Sequence, residues 1–547
     1  MKIALMGNTY RPRRNTDLVT GYSIATNDLM RSFVRHSTAE ELLFLYEPGQ
    51  YQEVALQELQ KEDRQSRVRL ISEYDLLFHG PGSLQQMNVL HSVKEDAVPL
   101  VALRERLGKP IPITFTMHGL AEQHLMLDTY YPLLYMPFKP YDAIVCTSDA
   151  VVRSLEHTLE RLQRVNPPLV QVLGQPQIRL EKVPLGVDTD YFRPMDKRTV
   201  RLHYGVPEDA FTILWFGRFS PLYKADLYPL LHVFAQLRRN NPDRCLRLIL
   251  AGSQDTELDY VGMLKKMIGA LGLDDVVTLI LNENIRDRAE LYSIADVFTS
   301  PIDNIQETFG LTPVEAMACG IPQVVSDWDG YRDTVVHGET GFLVPTAWHN
   351  CMGDVASADY LPFHPAHRRL LQKQLAVRSS VVDCSAYLHC FQQLLDHPEL
   401  CRSMACASRK RAVNSYDLRQ VVSATENMWE RLLRIAGDSD EPFMPKRIPM
   451  LDPCADFRDY PTTMLTDDTV FSVNQSVGQC IAQELAVPVV FQHHIEEAAL
   501  AEPLMNYLQK HEQVTIAEII SAFPHFQPDQ LRRSVMHLYK YDFIRPL

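Results

Sequence analysis

Glu307-Thr308-Phe309-Gly310-Leu311-Thr312-Pro313-Val314-Glu315-Ala316-Met317-Ala318-Cys319-Gly320-Ile321-Pro322 reads as a loop running into a short helix. Pro313 pre-sets φ for a first turn, so Thr312-Pro313 marks the helix start and Cys319-Gly320 its end. Apolar runs lie on either side, at 297–300 and 323–326. Free backbone N–H groups at Gly310, Leu311 and Thr312, reinforced by the helix dipole, suit a phosphate. Gly310 lets the backbone come close because no Cβ intervenes. Glu307 precedes the helix and Glu315 lies in its first turns, so two carboxylates flank the anion site instead of sharing a metal. The plainer reading of Glu315, an acidic residue placed favourably near a helix N-terminus, leaves Glu307 and Gly310 without a role.

The same alternation extends along the chain, twice over. The first series of apolar runs is 3–6, 42–46, 75–78, 113–117 and 143–146, closed by 182–185; the second is 212–216, 246–251, 277–281, 297–300, 323–326 and 341–344. Continuous apolar strands alternating with helical patterns imply parallel sheets covered on both faces. The fold class is therefore α/β, with two doubly wound sheets joined near 190–194. Ligands in such folds bind beyond the carboxyl ends of the strands. The predicted boundaries are 1–194 for the first domain, 195–415 for the second, 416–439 for a closing helix that packs back on the first, and 440–547 for an extension.

Composition bounds the function. At 547 residues the chain exceeds one core, and 46% hydrophobic with 22% charged residues is globular. A net charge of −14 argues against a nucleic-acid partner. No apolar run is long enough to span a bilayer and no signal peptide is evident, which points to the cytoplasm. Ten cysteines without a CxxC pair read as reduced, mostly buried thiols. Residues 346–382 read as an insertion with some helix, followed by helices at 384–396, 399–414 and 418–435. The proline-rich stretch 438–461 is a linker or extended arm. Beyond it, 503–511, 516–523 and 528–541 form a small, mainly helical module.

A second constellation is Trp215-Phe216-Gly217-Arg218 followed by Lys224 and Asp226. A strand ending in Gly-Arg, with a further cation six positions on, places two positive charges at the sheet edge that carries the Glu307 loop. Arg218 can grip a diphosphate bidentately and Lys224 supplies a point charge; a solvated face is the alternative for the pair taken alone.

These segments, together with Val324-Val325-Ser326-Asp327-Trp328-Asp329-Gly330, Gly338-Glu339-Thr340-Gly341-Phe342-Leu343-Val344-Pro345 and Val183-Pro184-Leu185-Gly186-Val187-Asp188, resemble the retaining nucleotide-sugar glycosyltransferases of family 4. The likeness covers roughly residues 1–435. It implies the GT-B architecture, two facing Rossmann-like domains, with the acceptor held by the first and the donor by the second. It further implies that Arg218 and Lys224 hold the donor diphosphate, Glu315 the ribose hydroxyls and Glu307 the transferred sugar. Gly310, Leu311 and Thr312 would complete the phosphate cradle. His118, in Thr116-Met117-His118-Gly119, would stand near the transferred sugar; a satisfied loop histidine is its alternative. Gly21 resembles the glycine loop that meets the donor phosphates, although the family frequently has two glycines where this chain has Thr20-Gly21. His79 could border the cleft or merely pack.

The activity implied is hexosyl transfer from a nucleotide-diphosphate sugar to an acceptor hydroxyl, by front-face substitution with retention. No metal and no cofactor is required, and a UDP-sugar is the favoured donor. The alternatives are a sugar-phosphate-using or phosphorolytic enzyme on the same fold, and a catalytically silent binding or scaffold protein. Asp327-Trp328-Asp329 and Asp188-Thr189-Asp190 spell acidic triplets of the metal-holding kind, but they fall in family motifs where those positions are structural. The acceptor, a saccharide, lipid-linked saccharide, small metabolite or peptide, is left open, as is the base, met near 282–285. Arg11, Arg13 and Arg14 suit an acidic membrane surface or a solvated, acceptor-binding loop. Residues 504–511, 515–523 and 528–541 resemble a winged helix. With 15 acidic against 8 basic residues from Asp440 onward, dimerisation, capture of a protein or peptide acceptor, or a passive brace fit better than DNA binding.

Overall fold

The computed structural model describes residues 1–6, 21–47, 50–95, 97–121, 125–173, 175–255, 258–282, 285, 287–349, 351, 374–439, 442–446, 448, 452–474 and 495–547. The first sheet comprises β1 (Lys2–Met6), β2 (Glu41–Tyr46), β3 (Val68–Ser72), β4 (Val89–Ser92), β5 (Ile113–Met117), β6 (Ala143–Cys146) and β7 (Arg179–Lys182). They pair in the order β3-β2-β1-β4-β5-β6-β7, every pair parallel. Burial on both faces explains the near-continuous apolar runs, as in β5, where all five residues are buried.

Two strands of the first series differ from the sequence expectation. Residues 75–78 lie in the helix Glu73–His79 and not in a strand. β3 is an edge strand whose Arg69 faces outward, and β4 buries the polar His91 and Ser92, so neither reads as an apolar run. The closing strand lies at Arg179–Lys182 rather than 182–185, again a partly exposed edge with polar residues.

The second sheet comprises β8 (Phe211–Phe216), β9 (Leu246–Gly252), β10 (Val277–Leu281), β11 (Val297–Ser300), β12 (Gln323–Ser326) and β13 (Gly341–Val344). Its order is β10-β9-β8-β11-β12-β13, all parallel. One face packs Trp215, Phe234, Tyr387 and Phe391, the other Leu214, Tyr292, Phe298, Met317 and Tyr331. Each large side chain so buried contributes about 1.5–3 kcal/mol. The strand order reverses between β8 and β11, which makes the carboxyl edge there the place where a crevice opens. The α/β expectation of two facing Rossmann-like sheets holds.

The chain passes between the two sheets twice, and the crossings pair. Val187 N–H donates to the Tyr416 carbonyl at 2.8 Å and Leu418 N–H to the Val187 carbonyl at 3.1 Å. Asp417 accepts from the Thr189 hydroxyl and pairs with Arg419, which lowers its carboxyl to about 2 despite the opposing effect of burial. The Arg409 guanidinium takes the carbonyls of Thr189, Phe192 and Ala318. From this knot the helix Leu418–Gly437 returns to the first sheet, where Trp429 stacks on Phe33 at 5.4 Å and Val421, Val422, Met428 and Leu432 join the core.

Beyond 344, β14 (Thr346–Trp348) and β15 (Ser380–Val382) form an antiparallel pair, and 352–373 lie outside the described residues. The helix expected at 399–414 is Pro398–Arg411 followed by a π-turn, Ala412–Tyr416.

A second compact unit comprises Tyr74–Ser83 and Arg447–Leu547. Here β16 (Val470–Val473), β17 (Val514–Thr515) and β18 (Ile544–Pro546) form a three-stranded antiparallel sheet, β17-β16-β18, beside the helices Ile495–Lys510, Ile516–Ala522 and Pro528–Lys540. The first of these helices starts well before Pro503 and runs through it, where the sequence suggested that proline as its beginning. Strand β16 comes from upstream of the helices, so the sheet is completed without a wing after the last one. Among the described residues no helix is long and apolar enough to cross a membrane.

At the crossing, a Cβ on Gly186 would meet the Tyr416 carbonyl oxygen and Val421 Cγ2, each at 2.8 Å. Gly186→Ala is therefore expected to destabilise the chain by about 1–3 kcal/mol through overpacking. A lower urea midpoint would register it, and an unchanged midpoint would mean that the crossing can spread.

Candidate active site

Of the residues singled out in the sequence, Arg218, Lys224, Glu307 and Gly310 lie on the loops that follow β8 and β11 at the switch point. After β8 the chain turns through Gly217 and Arg218, and a Cβ on Gly252 at the end of β9 would come within 1.7 Å of the Gly217 carbonyl oxygen. That close pass lets Lys224 fold back over the sheet edge. After β11 the loop 301–310 rises beside it, and Lys224 Nζ meets Glu307 Oε2 at 2.7 Å, with the two side chains 13% and 17% exposed. Asn304 ties the two loops together. Its amide donates to the Lys224 carbonyl at 2.8 Å, its Oδ1 accepts from Gln306 N–H, and its carbonyl accepts from the Trp328 indole.

Burial opposes the charge on both partners, and each charge offsets it for the other. Glu307 is held below the usual carboxylate range by Lys224 and by the amides of Phe309 and Thr308, and Lys224 is held above the lysine range by Glu307. Asp329, at φ 36°, lies within reach of the same charges. Its two buried carboxylate oxygens make no hydrogen bond meeting ordinary geometry, and burial followed by repulsion from Glu307 pushes its carboxyl well up.

Gly310 adopts φ 94° and caps the helix Leu311–Ala318 without a side-chain hydrogen bond. A Cβ there would fall 2.1 Å from Tyr331 Cε1, so only glycine fits under that ring. Tyr331 is fixed from behind by Ser300, hydroxyl to hydroxyl, at 2.8 Å. The helix begins at Leu311, one residue earlier than expected. Pro313 then falls in the first turn, where its missing N–H breaks no intrahelical bond. The Thr312 hydroxyl is buried without a partner.

Glu315 is 1% exposed, and both its oxygens are taken: Oε1 by Arg288 and Oε2 by the Tyr292 hydroxyl at 2.6 Å. Arg288 lies between the rings of Phe192 and Phe216, at 5.4 and 5.3 Å. Glu315 is thus an immobilised wall of the site. Arg218, in contrast, stands over the Tyr223 ring at 5.5 Å and pairs with no carboxylate among the described residues.

His118 follows β5. Its Nε2 lies 2.9 Å from the Val93 carbonyl, so that nitrogen carries the proton, and its N–H donates to Glu95 at 2.9 Å. Burial lowers its pKa against the pull of Glu95, so the imidazole is neutral. The His118 carbonyl accepts from the Thr308 hydroxyl at 2.7 Å, which joins it to the Glu307 loop. Gly21 opens the helix Gly21–His36. Residues 7–20, Arg11, Arg13 and Arg14 among them, lie outside the described residues, as do Glu283, Asn284 and the side chain of His79.

Outside Asp329, the acidic triplets are engaged elsewhere. Asp327 pairs with Arg332, and Asp188 accepts the amides of Asp190 and Tyr191. Among the described residues no group of three His, Cys, Asp or Glu is placed to hold a metal ion.

Sequence reasoning missed Asn304, Arg288, Tyr292 and Tyr331, and it read Asp329 as structural only. Their partners are distant in the chain, and no local pattern marks them.

Residues 196–352 match the family described as glycosyl transferases group 1. D-inositol 3-phosphate glycosyltransferase 2 of Catenulispora acidiphila is 34% identical over 213 residues, 38% of this chain and 48% of that protein. The D-inositol 3-phosphate glycosyltransferase of Stackebrandtia nassauensis is 32% identical over 260 residues, 45% and 55% of the two chains. The chain thus spans about half the length of the curated relatives it matches. Among solved structures, a glycosyltransferase from Rickettsia africae aligns with TM-score 0.52 at 16% identity, over 79% of this chain and 98% of that one. HepE of Anabaena in complex with UDP-glucose aligns with TM-score 0.51 at 17% identity, over 79% and 99%. At such identities the likeness is one of fold. It is the segment 196–352, holding Arg218, Lys224, Glu307, Gly310 and Glu315, that matches the group 1 glycosyl transferases.

Proposed function

We propose that the protein transfers a hexosyl group from a nucleotide-diphosphate sugar to an acceptor hydroxyl, with retention at the anomeric carbon and without a metal ion. The observation that carries this reading is the buried Lys224–Glu307 pair at the β8/β11 switch point, 2.7 Å apart, together with a helix N-terminus whose Gly310 cap supplies no side-chain acceptor. A pyrophosphate arriving there would meet the Arg218 guanidinium, the Lys224 ammonium and the amides of Gly310, Leu311 and Thr312. These positive groups are fixed before the reaction, so they stabilise the leaving group without reorganising. A UDP-sugar is the favoured donor, since HepE, which shares the fold, was crystallised with UDP-glucose.

In this reading residues 195–415 are the donor domain and 1–194 the acceptor domain. Glu307 orients the sugar and favours positive charge at its anomeric carbon, with Lys224 keeping the carboxylate ionised. The acceptor attacks on the face the phosphate leaves, and a phosphate oxygen takes the proton. The neutral His118 lines the acceptor side. Glu315, its two oxygens held by Arg288 and Tyr292, serves as a fixed wall beside the ribose and not as a free acceptor for its hydroxyls.

Glu307→Gln keeps the shape and removes the charge. Its turnover is expected to fall on the order of 10²-fold, with nucleotide affinity by calorimetry little changed. Arg218→Ala is expected to weaken binding of the nucleotide diphosphate by about 10–100-fold, the worth of a lost charged hydrogen bond. Native rates in both variants would overturn these roles. In a thermal-shift panel of nucleotide diphosphates and their sugars, one base should stand out, with stabilisation of about 2.7 kcal/mol at 100 times Kd. Chelation by EDTA should leave both binding and transfer unchanged.

A further inference from the structure

Thr308, next to the glutamate assigned to the sugar, carries three polar groups that face two ways. Its amide, with that of Phe309, turns toward the Glu307 carboxylate and favours the ionised form. Its hydroxyl donates to the His118 carbonyl at 2.7 Å, and its own carbonyl accepts the Ser148 hydroxyl at 2.7 Å. The residue is 7% exposed and Ser148 is fully buried. His118 and Ser148 sit at the carboxyl ends of β5 and β6 of the first sheet, so a donor-side loop is bound on both sides to the other lobe.

The partners are rigid. The His118 carbonyl is held by Glu95, which accepts the amides of His118 and Gly119 at 2.9 and 3.3 Å, and by the imidazole bond to Val93. Ser148 caps the helix Asp149–Val165, accepting from Val151 N–H at 3.3 Å. On the donor side, Gly330 backs the loop, since a Cβ there would lie 2.6 Å from the Thr308 carbonyl oxygen. A second link between the lobes runs through Asp333, which accepts from Asp149 N–H at 2.9 Å and faces Lys182 at 3.6 Å. That link holds the lobes together but touches neither Glu307 nor its loop.

We infer that Thr308 is a positioning residue through which the approach of the two lobes sets Glu307. When the lobes meet, the His118 carbonyl and the Ser148 hydroxyl fix the Thr308 peptide, and that peptide fixes the carboxylate one residue before it. When they part, Thr308 loses both partners, and the Glu307 carboxylate keeps Lys224 but loses the frame that aims it. Binding of the nucleotide, which rests on Arg218, Lys224 and the helix terminus, is then separable from turnover, which needs the aimed carboxylate. The inference rests on the reading of Glu307 given above, so its test has one arm that is independent of catalysis.

The full chain is compared with Thr308→Val, Thr308→Ser and Ser148→Ala, using UDP-glucose as the probe and release of UDP as the rate. Thr308→Val, which keeps the shape and loses the hydroxyl, is expected to lower kcat on the order of 10- to 100-fold, the effect of a small misplacement. Its KM for the nucleotide sugar should stay within about twofold, and Thr308→Ser should restore most of the loss. X-ray scattering without donor is expected to give a larger radius of gyration for Thr308→Val and Ser148→Ala than for the native chain, and native dimensions for Thr308→Ser. Native kcat in Thr308→Val, or native dimensions in both Thr308→Val and Ser148→Ala, would overturn the inference. Should the native chain release no UDP while the scattering change appears, the reading of the site fails and the latch stands. If Thr308→Val does not fold, Ser148→Ala carries the same two readouts.

Discussion

The contact between Lys224 and Glu307 is the interaction around which the site is built. The two residues are 83 positions apart in the chain, and they meet because β8 and β11 are neighbours in space, on the two sides of the point where the strand order reverses. A lysine or a glutamate buried alone there would neutralise itself; together they keep both charges. The nearby backbone serves this pairing: Gly252 lets the Gly217 turn pass, Asn304 ties the two loops, and Gly310 leaves room for the Tyr331 ring.

The site divides into parts that are locked and parts that are open. Glu315 has spent its oxygens on Arg288 and Tyr292, and Arg288 is in turn clamped between Phe192 and Phe216. Replacing either Glu315 or Arg288 would leave a buried charge without its partner, the costly half of a buried ion pair. Arg218 instead rests on the Tyr223 face with no carboxylate partner among the described residues. A guanidinium so placed is ready for an incoming anion at little cost in broken contacts.

The lobes are linked at two levels. The paired crossings at Val187 and Asp417, with Arg409 gathering three carbonyls, make a stiff double strand that returns the helix Leu418–Gly437 to the first sheet. The contacts of Thr308 with His118 and Ser148 lie at the sheets' carboxyl ends, where reacting groups would sit. The first level depends on close backbone approach, which Gly186 permits. The second is a pair of hydrogen bonds, each individually modest, on a loop that also carries a charged side chain.

Much of this was present in the order of residues. The six strands of the second sheet were legible because each is a short apolar run buried on both faces, and Glu307, Gly310 and Glu315 were legible because a helix start imposes local geometry on its neighbours. β3 and β4 were not, since Arg69 at an edge and the buried His91 and Ser92 break the apolar signal. The partners of the site residues were not legible either. That Lys224 would meet Glu307, that Arg288 and Tyr292 would occupy Glu315, that Asp329 would lose its solvent beside them and that Thr308 would reach His118 are matters of which strands lie side by side and how closely two lobes approach. Local propensity acts over a few residues, whereas these contacts join positions 23 to 190 apart, and only the packing of the sheets brings them within hydrogen-bonding distance.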